Sequence, residues 1–168
     1  MYDRILVPTD GSPLSVAAAQ HAITLARAMG SELVALQVIA PYQLPIYLEF
    51  APANLLTEEE YVAQSQQAAD RHLAMLSKLA ADADVECIGK AVFHGSTPQS
   101  IVDAAIQEKC QMILMGSHGR SGLSRAFLGS VTGKVLALSQ LPVLVHRATE
   151  AELTAAEKLV SGGQVQLD

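Results

Sequence analysis

The sequence predicts a single doubly wound α/β domain, a five-stranded parallel sheet with helices on both faces. Three observations predict it. Five short apolar runs alternate with helix-length segments, in the order β-α-β-α-β-α-β-α-β. The runs are continuously apolar, as strands are when both faces of a parallel sheet are covered. Helix caps and stops fall between them, where right-handed crossovers need them. The 168 residues suffice for one domain with a proper core. No second domain and no short-period repeat is visible.

"RILVPTD" reads as the first strand, ended by Pro8, Thr9 and Asp10. Ser12 is expected to cap the first helix, with Pro13 at its first position and Gly30 as its stop. Leu14, Ala18, Ala22 and Leu25 mark its apolar face. "ELVALQVIA" is the second strand. Residues 41–56 read as an irregular covering loop, with Pro41, Pro45, Pro52 and the aromatics Tyr42, Tyr47 and Phe50. Thr57 and Glu60 form a capping box for a helix reaching about Ala81, with Ala69, Leu73, Leu76 and Ala80 on one face. "VECIGKAVFHG" is the third strand. Thr97 is expected to cap the next helix and Pro98 to open it, as far as about Lys109. "QMILMG", "SVTGKVLALSQ" and "LPVLVHR" supply the fourth strand, the fourth helix and the fifth strand. The domain is expected over 1–147 and a C-terminal extension over 148–168. In the extension Thr149 and Glu152 make a further capping box, and Leu153, Ala156, Leu159 and Val160 line one side of a short helix. The extension reads as a frayed acidic end or as an arm on a partner subunit.

Composition removes several function classes. Half the residues are hydrophobic and 17% are charged, a globular balance. The net charge of −6 argues against nucleic acid or an anionic membrane as a bulk electrostatic partner. Cys87 and Cys110 form no C-x-x-C pair, and the five histidines are scattered, so neither a zinc site nor a disulfide framework is expected. The chain opens "MYDRILVPTD" with no signal-peptide core. Its apolar runs fall far short of the ~20 residues of a membrane span. The expectation is a soluble, cytoplasmic protein.

In an open α/β sheet, ligands bind beyond the carboxyl ends of the strands, at the point where strand order reverses. "MGSHGRSGLSRAFLGSVTGKV", residues 115–135, lies beyond the fourth strand. Gly116 and Gly119 allow close approach of a ligand to the backbone. Gly129 and Ser130 open a helix whose free N–H groups and positive dipole end suit an anion such as phosphate. The hydroxyls of Ser130 and Thr132 add donors. The competing reading is a surface loop with an ordinary helix cap. Other motifs fail: "TGKV" has Val135 where a P-loop needs Ser or Thr, and no G-x-G-x-x-G follows the first strand. "GLSRA" around Ser124 has Ala126 where a nucleophile elbow needs glycine. His118 is left as a base, a phosphate contact or an exposed loop residue.

Gly116, two residues, Gly119, nine residues, then Gly129–Ser130 gives G-2x-G-9x-G-[S/T]. This closely resembles the nucleotide-binding signature of the universal stress protein family. "ILVPTDGS", "LQVIA" and "PVLVHR" resemble that family in the corresponding places, so the resemblance covers roughly residues 2–147. It implies strand order 3-2-1-4-5, ATP or AMP as ligand, with Mg²⁺, and a homodimer through strand five. It places adenine and ribose near Pro8, Thr9, Asp10 and Val38, with the Val38 backbone on the adenine edge. Gly116, His118 and Gly119 line the ribose and phosphate side, and Met115 is counted among the nucleotide-binding residues. Gly129, Ser130, Val131 and Thr132 hold the phosphates. Asp10 is implied as a metal-positioning residue; read alone, it is a turn residue before the Ser12 cap. Arg120, Arg125 and Lys134 are left as charge neutralisers or solvated side chains.

The resemblance implies a stress-response or signalling protein acting through nucleotide-dependent partner contacts, with at most slow ATP hydrolysis or self-phosphorylation and no dedicated catalytic residue. The competing classes are a nucleotide-dependent transferase or hydrolase and a nucleotide-free interaction module.

Overall fold

In the computed structural model, which describes residues 2–43, 56–117 and 128–162, five parallel strands form one sheet in the order β3-β2-β1-β4-β5. The strands are β1 (Arg4–Pro8), β2 (Glu32–Ile39), β3 (Cys87–Phe93), β4 (Met112–Gly116) and β5 (Val143–His146). The helices are α1 (Pro13–Met29), α2 (Glu58–Ala81), α3 (Thr97–Gln107), α4 (Ser130–Leu138) and α5 (Glu150–Gly162). The expected fold class and strand order are therefore those of the protein. Among the described residues no helix is long and apolar enough to cross a membrane.

Successive strand residues point to opposite faces, which divides the core in two. Ile5, Val7, Leu33, Ala35 and Leu114 meet α1 and α2 through Ala18, Ala22, Leu73 and Leu76. Leu6, Val34, Leu36, Ile113 and Met115 meet α3 and α4 through Ile101, Ala105 and Val135. Each fully buried Leu or Ile contributes about 1.5–3 kcal/mol.

Local sequence sets the helix ends. Ser12 accepts from the Ser15 N–H, and Gly30 ends α1 in the left-handed region at φ 68°. Thr57 and Glu60 make the expected capping box of α2, which buries Ala69, Leu73, Leu76 and Ala80. α3 departs from expectation. It begins at Thr97, and its N-cap is Ser96, whose side chain makes no capping bond. The His94 ring stands against the cap residue instead: its Nδ1 lies 3.0 Å from the Ser96 nitrogen and 2.9 Å from the Ser96 oxygen, bonding one or the other according to its tautomer.

α1 buries a different arc from the one Leu14, Ala18, Ala22 and Leu25 define: Leu14 and Leu25 are only half-buried, whereas Val16, Ala17, Ala19, Ile23 and Ala26 are buried along with Ala18 and Ala22. For Val16 and Ala17 the cause is α5. It folds back on its own chain, with Ala156 fully buried against Val16 and Ala17 and with Leu159, Val160 and Met75 around it. The short helix expected from Leu153, Ala156, Leu159 and Val160 is thus present and packs on its own chain, while the sequence after 162 lies outside the described residues.

Candidate functional site

Strand order reverses between β1 and β4. The β1–β2 ladder runs to Pro8–Leu36, and the β4–β5 ladder runs to Gly116–His146. The β1–β4 ladder ends earlier, at Leu6–Ile113. Beyond it the last residues of β1 and β4 are no longer paired with each other, and residues 8–12 and 116–117 flank the gap in the ladder.

The β1 wall is held by a chain of hydroxyls. The Thr9 N–H donates to Leu36 O at 2.8 Å. Ser15 Oγ donates its proton to Ser12 O at 2.9 Å, so Thr9 Oγ1 must be the donor in its 3.1 Å bond to Ser15 Oγ. Thr9 Oγ1 in turn accepts the Gly11 N–H at 3.2 Å. Asp10 Oδ1 accepts the Ser12 N–H at 3.0 Å, an Asx turn leading into the α1 cap. Thr9, Ser12 and Ser15 are all buried. Pro8 and Asp10 are half-buried.

Val38 stands one strand away. Leu36 O faces β1, where it receives Thr9, while Ile39 O faces β3 and receives the His94 N–H at 3.0 Å. Peptide groups alternate sides along a strand, so those of Val38 face the β1 side, two residues beyond the last β1–β2 pair. Tyr42 and Tyr61 close the β2 end. Tyr42 OH donates to Leu56 O at 2.9 Å and Tyr61 OH to Ala40 O at 2.8 Å.

The β4 wall carries the start of α4. The Gly129 N–H donates to Ser117 O at 2.8 Å, and the Ser117 N–H donates to His146 O at 2.9 Å. Thr132 Oγ1 donates to Gly116 O at 3.0 Å from a buried position. Its hydroxyl proton thus ties helix to strand rather than standing open as a donor. The N-cap is Gly129, without a side-chain cap, and the first intrahelical bond is Gly133 N–H to Gly129 O. The N–H groups of Ser130, Val131 and Thr132 are therefore the ones the helix itself leaves without acceptors. Ser130 is exposed and Val131 half-buried. Gly116 is buried at the strand end, whereas the Met115 side chain lies in the α3/α4 core and can offer only backbone.

Pro8, Thr9, Asp10, Val38, Gly116, Gly129, Ser130, Val131 and Thr132 thus surround one end of the sheet. His118, Gly119, Arg120, Ser124 and Arg125 lie outside the described residues, as does the loop sequence over 44–55. Among the described residues no group of three or more His, Cys, Asp or Glu side chains could hold a metal ion. Cys110 is buried, and burial pushes its thiol up to about 11, which leaves it a protonated core residue.

Two side chains at this end were not singled out from the sequence. Gly11 has φ +75°, and a β-carbon on it would fall onto Cε1, Nε2 and Nδ1 of His72. His72 Nδ1 lies 2.9 Å from Gln37 Oε1 on β2. The local signal was thin: a glycine after a strand-end Asp, and one glutamine interrupting an apolar strand.

A parallel α/β domain whose strand order reverses beside a glycine-started helix belongs to the doubly wound class of architectures. Residues 1–147 match the model of the universal stress protein family, and the chain belongs to that family. It is 34% identical over 155 residues to universal stress protein MJ0531 of Methanocaldococcus jannaschii, covering 90% of this chain and 86% of that protein. The solved structure of MJ0577, from the same organism, superposes with a TM-score of 0.74 at 29% identity, covering 89% of this chain and 99% of that one. A universal stress protein solved in complex with cAMP shares the fold, with a TM-score of 0.65 at 23% identity and coverage of 88% and 99%.

Proposed function

We propose that the protein binds an adenine nucleotide, ATP or AMP, in the crevice between β1 and β4, and that occupancy changes its contacts with partners in a stress or signalling response. One observation carries this reading. The β1–β4 ladder stops at Leu6–Ile113, and the N-terminus of α4, with no side-chain cap, stands at the opening. An uncapped helix start at a strand-order switch is a ready site for phosphate. The backbone of Val38 supplies a donor and an acceptor for the adenine edge on the β1 side. A neighbour of the same fold was solved with cAMP, itself an adenine nucleotide.

Asp10 contributes one carboxylate, and one is enough for Mg²⁺ when phosphates and water complete its octahedron. The reading includes a cytoplasmic homodimer joined through β5, the edge strand beside β4. The reading needs no dedicated catalytic base.

Isothermal titration with ATP, AMP and Mg²⁺ tests it, with Gly129→Val/Ser130→Leu as the altered protein. The wild type should bind and the double variant should lose most of that affinity. Equal, nonzero affinities would sink the reading. Turnover of ATP above about 1 s⁻¹ places the protein among ordinary enzymes instead.

A further inference from the structure

His72 of α2 reaches both the Asp10–Gly11 turn of the β1 wall and the residue on β2 that precedes Val38. Its ring occupies the space a side chain at position 11 would need, so it lies flat against the Asp10–Gly11 turn. Its Nδ1 meets Gln37 Oε1 at 2.9 Å, and because an amide oxygen only accepts, Nδ1 is the donor. Gln37 is 8% exposed and follows Leu33 and Ala35 on the strand face that α1 and α2 cover. A buried amide there is costly unless bonded, and the residue after it is Val38.

The mount is rigid. His72 precedes Leu73, and both Leu73 and Leu76 sit in the core between α2 and the sheet. Leu73 packs so closely on β3 that a β-carbon at Gly89 would lie 3.1 Å from its Cβ. Gly11, at φ +75°, has both the backbone freedom and the bare face the arrangement requires.

We propose that His72 is a positioning residue of the nucleotide crevice. It clamps the Asp10–Gly11 turn to β2 at Gln37, and so sets the separation between the Asp10 wall and the Val38 backbone. This rests on the adenine-nucleotide reading above. A turn held at the bound separation needs no ordering when the ligand arrives, and that saving appears as affinity.

The test joins two measurements on four proteins: wild type, His72→Ala, His72→Asn and Leu73→Val. Asn places an amide N–H close to where the imidazole Nδ1–H stands, and so restores the bond to Gln37. Leu73→Val makes a packing defect one residue away and leaves the clamp in place. Hydrogen exchange of the ligand-free proteins should show faster exchange at 9–12 and 37–39 in His72→Ala, with Asn restoring protection and Leu73→Val leaving both segments near wild type. ATP titration should show about tenfold weaker binding by His72→Ala, much of it recovered by Asn, and little change in Leu73→Val. Unchanged exchange and affinity in His72→Ala overturn the proposal. So do equal losses in His72→Ala and Leu73→Val. A wild type that binds no nucleotide overturns the nucleotide reading and the role given to His72 with it. Wild-type binding together with an unaffected His72→Ala overturns the clamp alone.

Discussion

His21 of α1 and His146 at the end of β5 stack face to face, with ring centroids 4.5 Å apart and planes 17° from parallel. His146 Nε2 is buried without a hydrogen-bond partner among the described residues, although Glu152 Oε1 stands 3.5 Å away. The contact is within ion-pair reach but lacks hydrogen-bond geometry. His146→Phe keeps a ring against His21 and removes the unpaired nitrogen. It should raise stability by about 1 kcal/mol, read as a higher urea midpoint. A lower midpoint would show that the Glu152 contact outweighs the desolvated nitrogen.

Glu152 adds a pH dependence. The Thr149 N–H at 2.7 Å and the Thr149 hydroxyl at 2.9 Å both donate to its Oε2. These bonds, then the nearby His146 and His21, hold its carboxyl below the usual range. A depressed folded value means that the stabilisation is present above the unfolded value, about 4.5, and is lost as pH falls through the folded one. Thermal unfolding from neutral pH down to about 3 should therefore fall more steeply for wild type than for Glu152→Gln, whose neutral amide keeps an acceptor for Thr149. Parallel curves would refute the assignment.

Thr132 should be structural before it is anything else. Thr132→Val keeps the shape, removes the donor to Gly116 O and leaves that buried carbonyl short of a partner. The expected cost is about 1–3 kcal/mol, seen in chemical denaturation without ligand, and Thr132→Ser should recover most of it. An unchanged Thr132→Val midpoint would show that the bond does not anchor α4 to β4.

The fold was legible because its signals are local. β4 is buried at all five residues, and the sequence shows it as an unbroken apolar run. The caps at Ser12 and Thr57 and the stop at Gly30 lie within a few residues of what they satisfy. The Thr97 misreading has the same origin: a Thr-Pro pair looks like a cap and an opening, and nothing local says that the His94 ring will bond Ser96. The two walls of the site were legible because strand ends at a switch point follow from topology. His72 was not, because its partners Gly11 and Gln37 lie 61 and 35 positions away and meet it only after folding. The burial of Val16 and Ala17 on α1 was hidden for the same reason, since it depends on α5.

Gly30 offers a test of backbone conformation free of packing. It sits at φ 68°, and a β-carbon there meets nothing within 4 Å. Gly30→Ala should thus cost only the left-handed backbone penalty, about 1–2 kcal/mol. Gly30→Asn should cost less, because Asn tolerates this region at helix ends. Equal losses for the two would point to a contact at position 30 that the fold does not contain.

α5 lies beyond the residues that match the family model, yet it packs as part of the core of this chain. Ala156 is fully buried against Val16 and Ala17, in a cluster that Met75, Leu159 and Val160 complete. Ala156→Asp has two ways to respond. It can bury an unpaired carboxylate, at several kcal/mol, or release α5 and keep the rest of the fold. Release is the cheaper course, because α5 is the last described element and β5 can stay paired with β4 without it. The variant should therefore keep a cooperative core transition, lose hydrogen-exchange protection over 150–162, and become cleavable by trypsin at the exposed Lys158. Loss of the core transition along with α5 would mean that the helix folds as one unit with the sheet.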